Sequence, residues 1–142
     1  MVRLDSFVIH TTKYNDYINI TEKVKGLVEG SGIKDGVAFV ITAHTTTAVT
    51  VNEDLECLQS DMKDMMWRLV PEDHPYAHAR MLHSYGTTAG NPTGHLRSLL
   101  TGNHAVFPVR DGKLIRGGAQ EIFFCEYDGA QSRTVYVETM GE

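Results

Sequence analysis

The stretch that decides the fold is Gly36-Val37-Ala38-Phe39-Val40-Ile41-Thr42-Ala43-His44-Thr45-Thr46-Thr47-Ala48-Val49-Thr50-Val51. Its apolar run, residues 37 to 41, predicts a buried strand that a glycine opens. The β-branched, threonine-rich residues 46 to 51 predict a second strand. His44 and the threonines after it break the apolar pattern where the first strand ends, and a strand end presents side chains rigidly. The stretch therefore predicts a β-rich domain with a candidate site at this strand end; a polar turn in which a backbone carbonyl satisfies His44 is the alternative interpretation.

The remaining sequence predicts two or three helices between further strands. Residues 2 to 11 predict a strand, and Thr21 caps a short helix that ends near Gly30. Residues 54 to 70 predict an amphipathic helix that Pro71 stops. Its apolar stripe consists of Leu55, Leu58, Met62, Met65, Met66 and Leu69. A long loop over 71 to 94 and a short helix over 95 to 100, ended by Gly102, follow.

Three strand-like segments complete the chain, at 104 to 109, 113 to 126 and 133 to 139, with an interruption of the second at Gly117-Gly118. Asp111-Gly112 and Asp128-Gly129 each predict a hairpin turn. Strands grouped into hairpins with interspersed helices indicate an antiparallel α+β domain or a β-sandwich with helical additions.

Length and composition limit the functions open to this chain. Its 142 residues predict a single domain spanning 1–142. Thirteen Lys and Arg against eighteen Asp and Glu give a net charge of -5, which argues against nucleic-acid and polybasic membrane contacts. With no apolar run near the ~20 residues of a membrane span and an acid at position 5, we expect a cytoplasmic protein. Cys57 and Cys125 stand among apolar neighbours and are predicted to be reduced core residues.

Asn52-Glu53, where the second strand meets the amphipathic helix, is open to two interpretations. The pair caps the helix and places an acid at its positive end. Alternatively, the Glu53 carboxylate reaches the site that His44 faces.

Seven histidines in this chain are a surplus, and three of them fall with an asparagine within the 18 residues from 78 to 95: His78, His83, Asn91 and His95. Zinc sites need about three imidazoles or carboxylates that converge within ~2.0–2.2 Å of the metal. The spacing matches no standard metal motif, so exposed loop histidines are the alternative interpretation.

The last predicted hairpin carries Glu126, Asp128 and Arg133, and Gln120 precedes it. Asp128-Gly129 is most simply a turn. Arg133 either holds an anion or pairs with Glu126.

Taken in order, these segments resemble one family, the YjbQ-like proteins, which is also labelled secondary thiamine-phosphate synthase. The run from Ile41 to Glu53 resembles its His-Thr-Thr…Asn-Glu signature, and Asn91-Pro92-Thr93-Gly94-His95-Leu96-Arg97-Ser98 is similar to its second signature. Residues 107 to 114 with Gly117, Gln120 and Ile122 resemble its third signature, and residues 124 to 133 resemble its closing segment. Two departures stand out. Gly118-Ala119 replaces the family's usual Thr-Trp. The loop before Asn91 is longer than in most members, so the family's Tyr-x-His pair aligns with Tyr76 and His78. His83 is then the alternative to His78 as the loop ligand.

The resemblance implies an α+β, mainly antiparallel β-sandwich with flanking helices that assembles as a homotrimer. It implies a divalent metal, zinc or else magnesium with a diphosphate substrate, held by His44, His78 and His95, with Asn91 and Glu53 near. The implied reaction joins a hydroxymethylpyrimidine diphosphate to a thiazole phosphate and releases diphosphate. A metal- or metabolite-binding trimeric module without significant catalysis is the alternative.

For that reaction we assign catalytic roles to four charged residues. Arg97 and Arg133 supply positive charge to the leaving diphosphate, and Glu53 or Glu126 moves a proton or holds an amino group. Contacts to a small phosphorylated substrate are assigned to Thr45, Asn52, Asn91, Ser98 and Gln120.

Overall fold

The computed structural model describes residues 1–80 and 91–142, so His83 and its place in the site lie outside the described residues. The strands are β1 (Val2–His10), β2 (Asp16–Asn19), β3 (Gly36–Thr42), β4 (Thr47–Asn52), β5 (His104–Arg110), β6 (Lys113–Leu114), β7 (Glu121–Glu126) and β8 (Ser132–Gly141). The described helices are α1 (Thr21–Gly30), α2 (Glu56–Leu69), α3 (Ala77–Arg80) and α4 (Pro92–Thr101).

The strands form two antiparallel sheets, which confirms the predicted α+β architecture. One sheet has five strands in the order β1-β8-β3-β5-β6, and the other has three in the order β2-β7-β4. The strands on either side of the deciding stretch therefore separate, with β3 in the larger sheet and β4 in the smaller one. The loop between them, residues 43–46, crosses from one sheet to the other.

One apolar core lies between the two sheets. Alternate residues of β3, such as Ala38 and Val40, face alternate residues of β7, Ile122 and Phe124, and all four are fully buried. Helix α1 adds Val24 and Val28 to the same core. Burying an apolar side chain of this size is worth roughly 1.5–3 kcal/mol, so the facing rows hold the sheets together.

β7 is buried on both faces, which explains its unbroken apolar run. Phe123 and Cys125 point away from the main core and pack with Tyr17, Ala48 and Tyr127 in a second cluster. Met62 of α2 contacts this cluster, but no residue of α2 is itself buried. The predicted helix is confirmed, while its apolar stripe stays open to solvent at Leu55, Met65 and Leu69.

Three sequence predictions need correction, and one strand was not predicted. Thr21 is the first residue of α1 rather than its cap, and its hydroxyl accepts the Ile122 N–H at 2.8 Å, which ties the helix to β7. β2 was not predicted, because its four residues show no clear alternation. α4 begins at Pro92, three residues before the predicted start. Cys57 is exposed, although Cys125 is in the core as predicted.

The two predicted hairpin turns have different outcomes. Asp111-Gly112 joins β5 to β6 with φ of 53° and 76°, the paired positive values that a tight type I′ hairpin requires. Asp128-Gly129 does not form a hairpin, because β7 and β8 belong to different sheets. The prediction there was wrong, and the Asp128 side chain has another role described below. Among the described residues, no helix is long and apolar enough to cross a membrane.

Candidate functional site

The start of α4 lies directly against the loop that joins β3 to β4. A Cβ on Gly94 would come within 2.9 Å of the Tyr127 carbonyl oxygen and 3.2 Å of the Thr46 methyl group. Only glycine allows this approach, because any side chain would press on backbone there. The approach brings His95, the next residue of α4, to the loop that carries His44.

Two adjoining pockets open at this contact and share His95 and Leu96 on their walls. One, of about 440 Å³, is lined by Tyr76 and His78, and the other, of about 610 Å³, is lined by His44 and Thr45. We call the two pockets together the histidine cleft. The three histidines predicted from sequence to share a site therefore converge on one cleft from three elements.

Hydroxyl groups hold the His44 loop in shape. The Thr42 and Thr47 hydroxyls lie 2.7 Å apart, and the Thr47 hydroxyl also donates to the His44 carbonyl at 3.1 Å. Thr46 is buried and its carbonyl accepts the Tyr127 N–H at 3.1 Å. Most of the threonine run is thus structural, and only Thr45 is exposed to the cleft.

The His44 imidazole is held in a single tautomer by the backbone. Its Nε2 accepts the Thr134 backbone N–H at 3.1 Å, so in the neutral ring the proton resides on Nδ1. Partial burial lowers the pKa of His44, the Arg133 charge lowers it further, and Glu126 opposes both. His44 therefore enters the cleft as a neutral hydrogen-bond donor.

His78 has the opposite arrangement. Its Nε2 lies 3.1 Å from Asn91 Oδ1, and Asn91 Nδ2 donates to Asp128 Oδ2 at 2.8 Å. The rings of His78 and His95 meet edge to face with centroids 5.1 Å apart. Asp128 was read from the sequence as part of a turn only, and the carboxylate of an Asp-Gly dipeptide gives no sign of such a contact.

The described residues do not fit the expected three-histidine metal centre. Among them, no group of three His, Cys, Asp or Glu side chains is placed to hold a metal ion. The chemical reason lies at His44, because its Nε2 lone pair is used by a backbone N–H and its Nδ1 carries the proton. His78 and His95 supply at most two imidazoles, so no step is derived through a metal here.

Glu126 and Arg133 pair with each other beneath the His44 loop, one of the two alternatives that the sequence left open. Arg133 donates to both carboxylate oxygens, at 2.9 and 2.7 Å, and the Thr11 hydroxyl adds a bond at 2.7 Å. Burial raises the pKa of the Glu126 carboxyl, but hydrogen bonds from Arg133, Thr11 and the Asp128 N–H hold it below its usual range. Neither side chain faces the cleft, so the catalytic roles assigned to both residues lack access to a substrate.

Arg97 is also sealed inside the protein. Its guanidinium donates to Glu72 at 2.9 Å and to the Val70 carbonyl at 2.8 Å, and it lies 3.9 Å from the centre of the Trp67 ring. The residue is fully buried. Arg97 therefore joins α4 to the end of α2, and the predicted contact with a diphosphate is not available to it.

Three predicted site residues lie at the other end of the smaller sheet. Asn52 pairs with Glu121, so Gln120 and Glu53 flank that end, while Thr47 pairs with Glu126 beside the cleft. The five steps along β4 separate the two ends by roughly 17 Å. Glu53 therefore does not reach the site that His44 faces. The helix-cap alternative also fails, because residue 55 is the N-cap of α2 and the Asn52 side chain accepts the Glu53 N–H instead.

Of the remaining predicted substrate contacts, some line the cleft, and others have side chains that hydrogen-bond within the protein. Ser98 lines the cleft, but its hydroxyl donates to the Thr47 carbonyl at 2.5 Å. The Asn91 amide is occupied by His78 and Asp128, and the Gln120 side chain accepts the Gly117 N–H at 2.8 Å. Thr45 is the predicted substrate contact whose placement leaves it exposed in the cleft.

Comparison with known proteins finds a family whose sequences match this chain. Residues 5–142 match the model of the family described as UPF0047 protein YjbQ-like. UPF0047 protein YugU of Bacillus subtilis is 36% identical over 97% of this chain and 99% of the relative, and a UPF0047 protein of Archaeoglobus fulgidus is 38% identical over 93% and 97%.

Solved structures agree over the whole chain. A YbjQ-like protein of unknown function from Sulfolobus solfataricus superposes with a TM-score of 0.92 at 33% identity, covering 100% of this chain and 99% of that one. An uncharacterised YjbQ/UPF0047 protein from Clostridium acetobutylicum gives 0.86 at 30% identity, covering 96% and 99%.

Proposed function

This chain belongs to the UPF0047 family of YjbQ-like proteins, and from the histidine cleft we propose that it is an enzyme acting on a small phosphorylated molecule. One observation carries the proposal: three imidazoles from separate elements meet on one cleft, with different nitrogens engaged. His44 offers an N–H, whereas His78 has its Nε2 turned to an amide oxygen. A cleft that offers a neutral imidazole N–H and a basic imidazole nitrogen is suited to stabilising developing negative charge and to accepting a proton.

The specific reaction we propose is the one that the family resemblance implies, formation of thiamine phosphate. The thiazole ring nitrogen would attack the methylene carbon of the pyrimidine as the bond to the diphosphate oxygen breaks. The charge that leaves has to be met, because a departing diphosphate is stabilised by positive charge or N–H donors. With Arg97 and Arg133 sealed in ion pairs, the side-chain donors among the described cleft residues include the His44 N–H, the Thr45 hydroxyl and the Asn103 amide.

The test is formation of thiamine phosphate from the two substrates in the presence of Mg²⁺, which the diphosphate substrate itself binds. We expect His78→Ala and His95→Ala to lower the rate about 10²-fold, because both imidazoles line the cleft and their loss would misplace the reacting atoms. His10→Ala is the matched control, since His10 is exposed on β1 and contacts Ser132 outside the cleft. Equal rates for wild type and His95→Ala would contradict the proposed reaction.

A second candidate function is a metabolite-binding module without significant catalysis. The observation in its favour is that no lysine or arginine is among the described residues that line the cleft. A thermal shift on adding a phosphorylated metabolite, with no turnover of that compound, would favour binding over catalysis.

We also propose that the protein assembles as a homotrimer through the outer face of the larger sheet. Alternate residues of its strands leave apolar side chains outside, with Leu4 59% and Val106 48% exposed. The face comprises Val2, Leu4, Val8, Val37, Phe39, Ile41, Val106 and Met140. Glu138 lies on the same face, opposite Leu4 and Phe39. Exposed apolar side chains grouped on one sheet face are typical of a contact between protein chains, and three is the number of chains that the family resemblance implies.

Light scattering after gel filtration tests the assembly. We expect the wild type to have three times the protomer mass and Leu4→Glu to shift it toward the monomer. Lys23→Glu, a charge change on the exposed side of α1, should leave the mass unchanged. A monomeric wild type would rule out the trimer.

A further inference from the structure

We infer that Asp128 is a positioning residue that acts through Asn91 and fixes the tautomer of His78. The inference deepens the proposed function, on which it rests, by adding a residue that the sequence had assigned to a turn. Asp128 follows β7, Asn91 precedes α4 and His78 belongs to α3, so the hydrogen-bonded series joins three separate segments.

The argument begins at the carboxylate, which accepts hydrogen bonds and donates none. Asn91 presents either an oxygen or an NH₂ group to a neighbour, and the two ends of an amide have nearly the same shape. Facing Asp128 Oδ2 at 2.8 Å, Asn91 must present Nδ2, since two acceptors there would repel each other. The Asn91 oxygen is therefore turned toward His78.

The oxygen then determines the imidazole. Asn91 Oδ1 accepts only, so His78 Nε2 at 3.1 Å has to donate and must carry the proton. In the neutral ring this leaves Nδ1, on the opposite edge of the imidazole, as the basic nitrogen. Fixing one tautomer matters for catalysis because an imidazole acts as a base only through the nitrogen that lacks the proton.

Asp128 is itself held in place by its backbone. Its backbone N–H donates to the buried Glu126 Oε2 at 3.0 Å, and its carbonyl accepts the exposed Gln131 side chain at 2.7 Å. Its Cβ lies 3.3 Å from the position that a side chain on Gly94 would take, so α4 packs closely beside it. Asp128 thus connects the buried ion pair under the His44 loop, through its backbone N–H, to the His78 side of the cleft, through its carboxylate.

The test measures the tautomer directly, by long-range ¹H–¹⁵N correlation spectra of ¹⁵N-labelled full-length protein at neutral pH. In the wild type we expect the His78 ring nitrogens to give the pattern of the Nε2–H form. Asp128→Ala removes the acceptor that orients Asn91, so the His78 signals should move toward a mixture of the two tautomers. Asp128→Asn replaces the acceptor-only carboxylate with an amide that can present either end to Asn91, so its His78 pattern should lie between those of the wild type and Asp128→Ala.

Ser132→Ala is the matched control, because Ser132 follows the same segment and its hydroxyl contacts His10 instead of Asp128, Asn91 or His78. Its His78 pattern should stay that of the wild type. An unchanged His78 pattern in a folded Asp128→Ala protein would overturn the inference, as would the same shift in Ser132→Ala. Should Asp128→Ala fail to fold, Asn91→Leu takes its place, and an unchanged His78 tautomer there would overturn the inference equally.

Failure of this inference and failure of the proposed function are distinguishable. The spectra need no substrate, so a fixed Nε2–H tautomer with no turnover would refute only the proposed reaction. Turnover with an unaffected tautomer in Asp128→Ala would refute only the role of Asp128.

Discussion

Each side of the histidine cleft lies over a buried arginine that pairs with a glutamate, but the two ion pairs differ in their exposure to solvent. The His44 side, residues 43–46, stands over the Arg133–Glu126 pair, in which both side chains are at most 5% exposed. The His78 side, residues 76–78 with the start of α4, stands over Arg97, whose partner Glu72 has a side chain 40% exposed. One ion pair is closed to water and the other opens to it.

The two ion pairs indicate that both arginines have a structural role. Both were assigned to a substrate diphosphate, and both instead satisfy a carboxylate inside the protein. A buried charge without a partner is costly, so the fully closed pair should be the harder one to break. The open pair leaves Glu72 able to turn to solvent, and the other contacts of Arg97 are the Asn15 amide oxygen, the Val70 carbonyl and the Trp67 ring.

The largest effect is expected for Arg133→Met. Removing the guanidinium leaves Glu126 buried without its charge partner, and we expect the free energy of unfolding to fall by about 3–5 kcal/mol in urea titrations. The double variant Arg133→Met/Glu126→Leu should regain part of the loss, because it removes the stranded carboxylate. A loss below about 1 kcal/mol for the single variant would contradict the account of this pair.

Arg97→Met should cost less, about 1–3 kcal/mol in the same titration. The Val70 carbonyl loses its donor, but Glu72 can be hydrated where it stands. Arg97→Lys is the control that keeps the charge and loses the planar fork. An equal loss in the free energy of unfolding for Arg97→Met and Arg133→Met would contradict the difference expected between the two ion pairs.

A smaller effect on the free energy of unfolding is expected when the pH is lowered. The pKa of Glu126 is lowered in the folded protein, so its contribution is present above the unfolded-state pKa of about 4.3 and is lost as the pH falls through the lower folded value. The stability difference between wild type and Glu126→Gln should therefore shrink as the pH is lowered from 6 to 3, measured by urea unfolding at each pH. A difference that stays constant or grows over that range would show that the carboxylate is not held in its charged form.

Much of the fold followed from the sequence, because hydrophobic periodicity reports which face of an element is buried. The strand from 36 to 42, the helix ended by Gly102 and the Asp111-Gly112 hairpin all have local causes. The turn at Asp128 was misassigned because its dipeptide fits a hairpin equally well, and only the partner strands distinguish a hairpin from a crossing between sheets.

The site was less accessible to sequence reasoning. The sequence pattern singled out His44 at a strand end and the histidines of the loop, and the family resemblance selected His44, His78 and His95 from them. The resemblance also implied that Glu53 lies near this site, but the length of β4 separates Glu53 from His44. Arg97 gave no sign of burial, since it follows His95 on the same helix and its partners lie in a distant segment. Whether a charged side chain can reach a substrate depends on its hydrogen-bond partners in segments distant in sequence, and tertiary packing determines those partners.

The central claim is that the two sides of the cleft present imidazoles in opposite tautomers. Long-range ¹H–¹⁵N correlation spectra of the wild-type protein at neutral pH, with His44→Gln and His78→Gln for assignment, test it directly. We predict an Nδ1–H signal for His44, bound through Nε2 to the Thr134 N–H, and an Nε2–H signal for His78, bound to Asn91. The same tautomer at both histidines, or a doubly protonated His44 at neutral pH, would contradict the account.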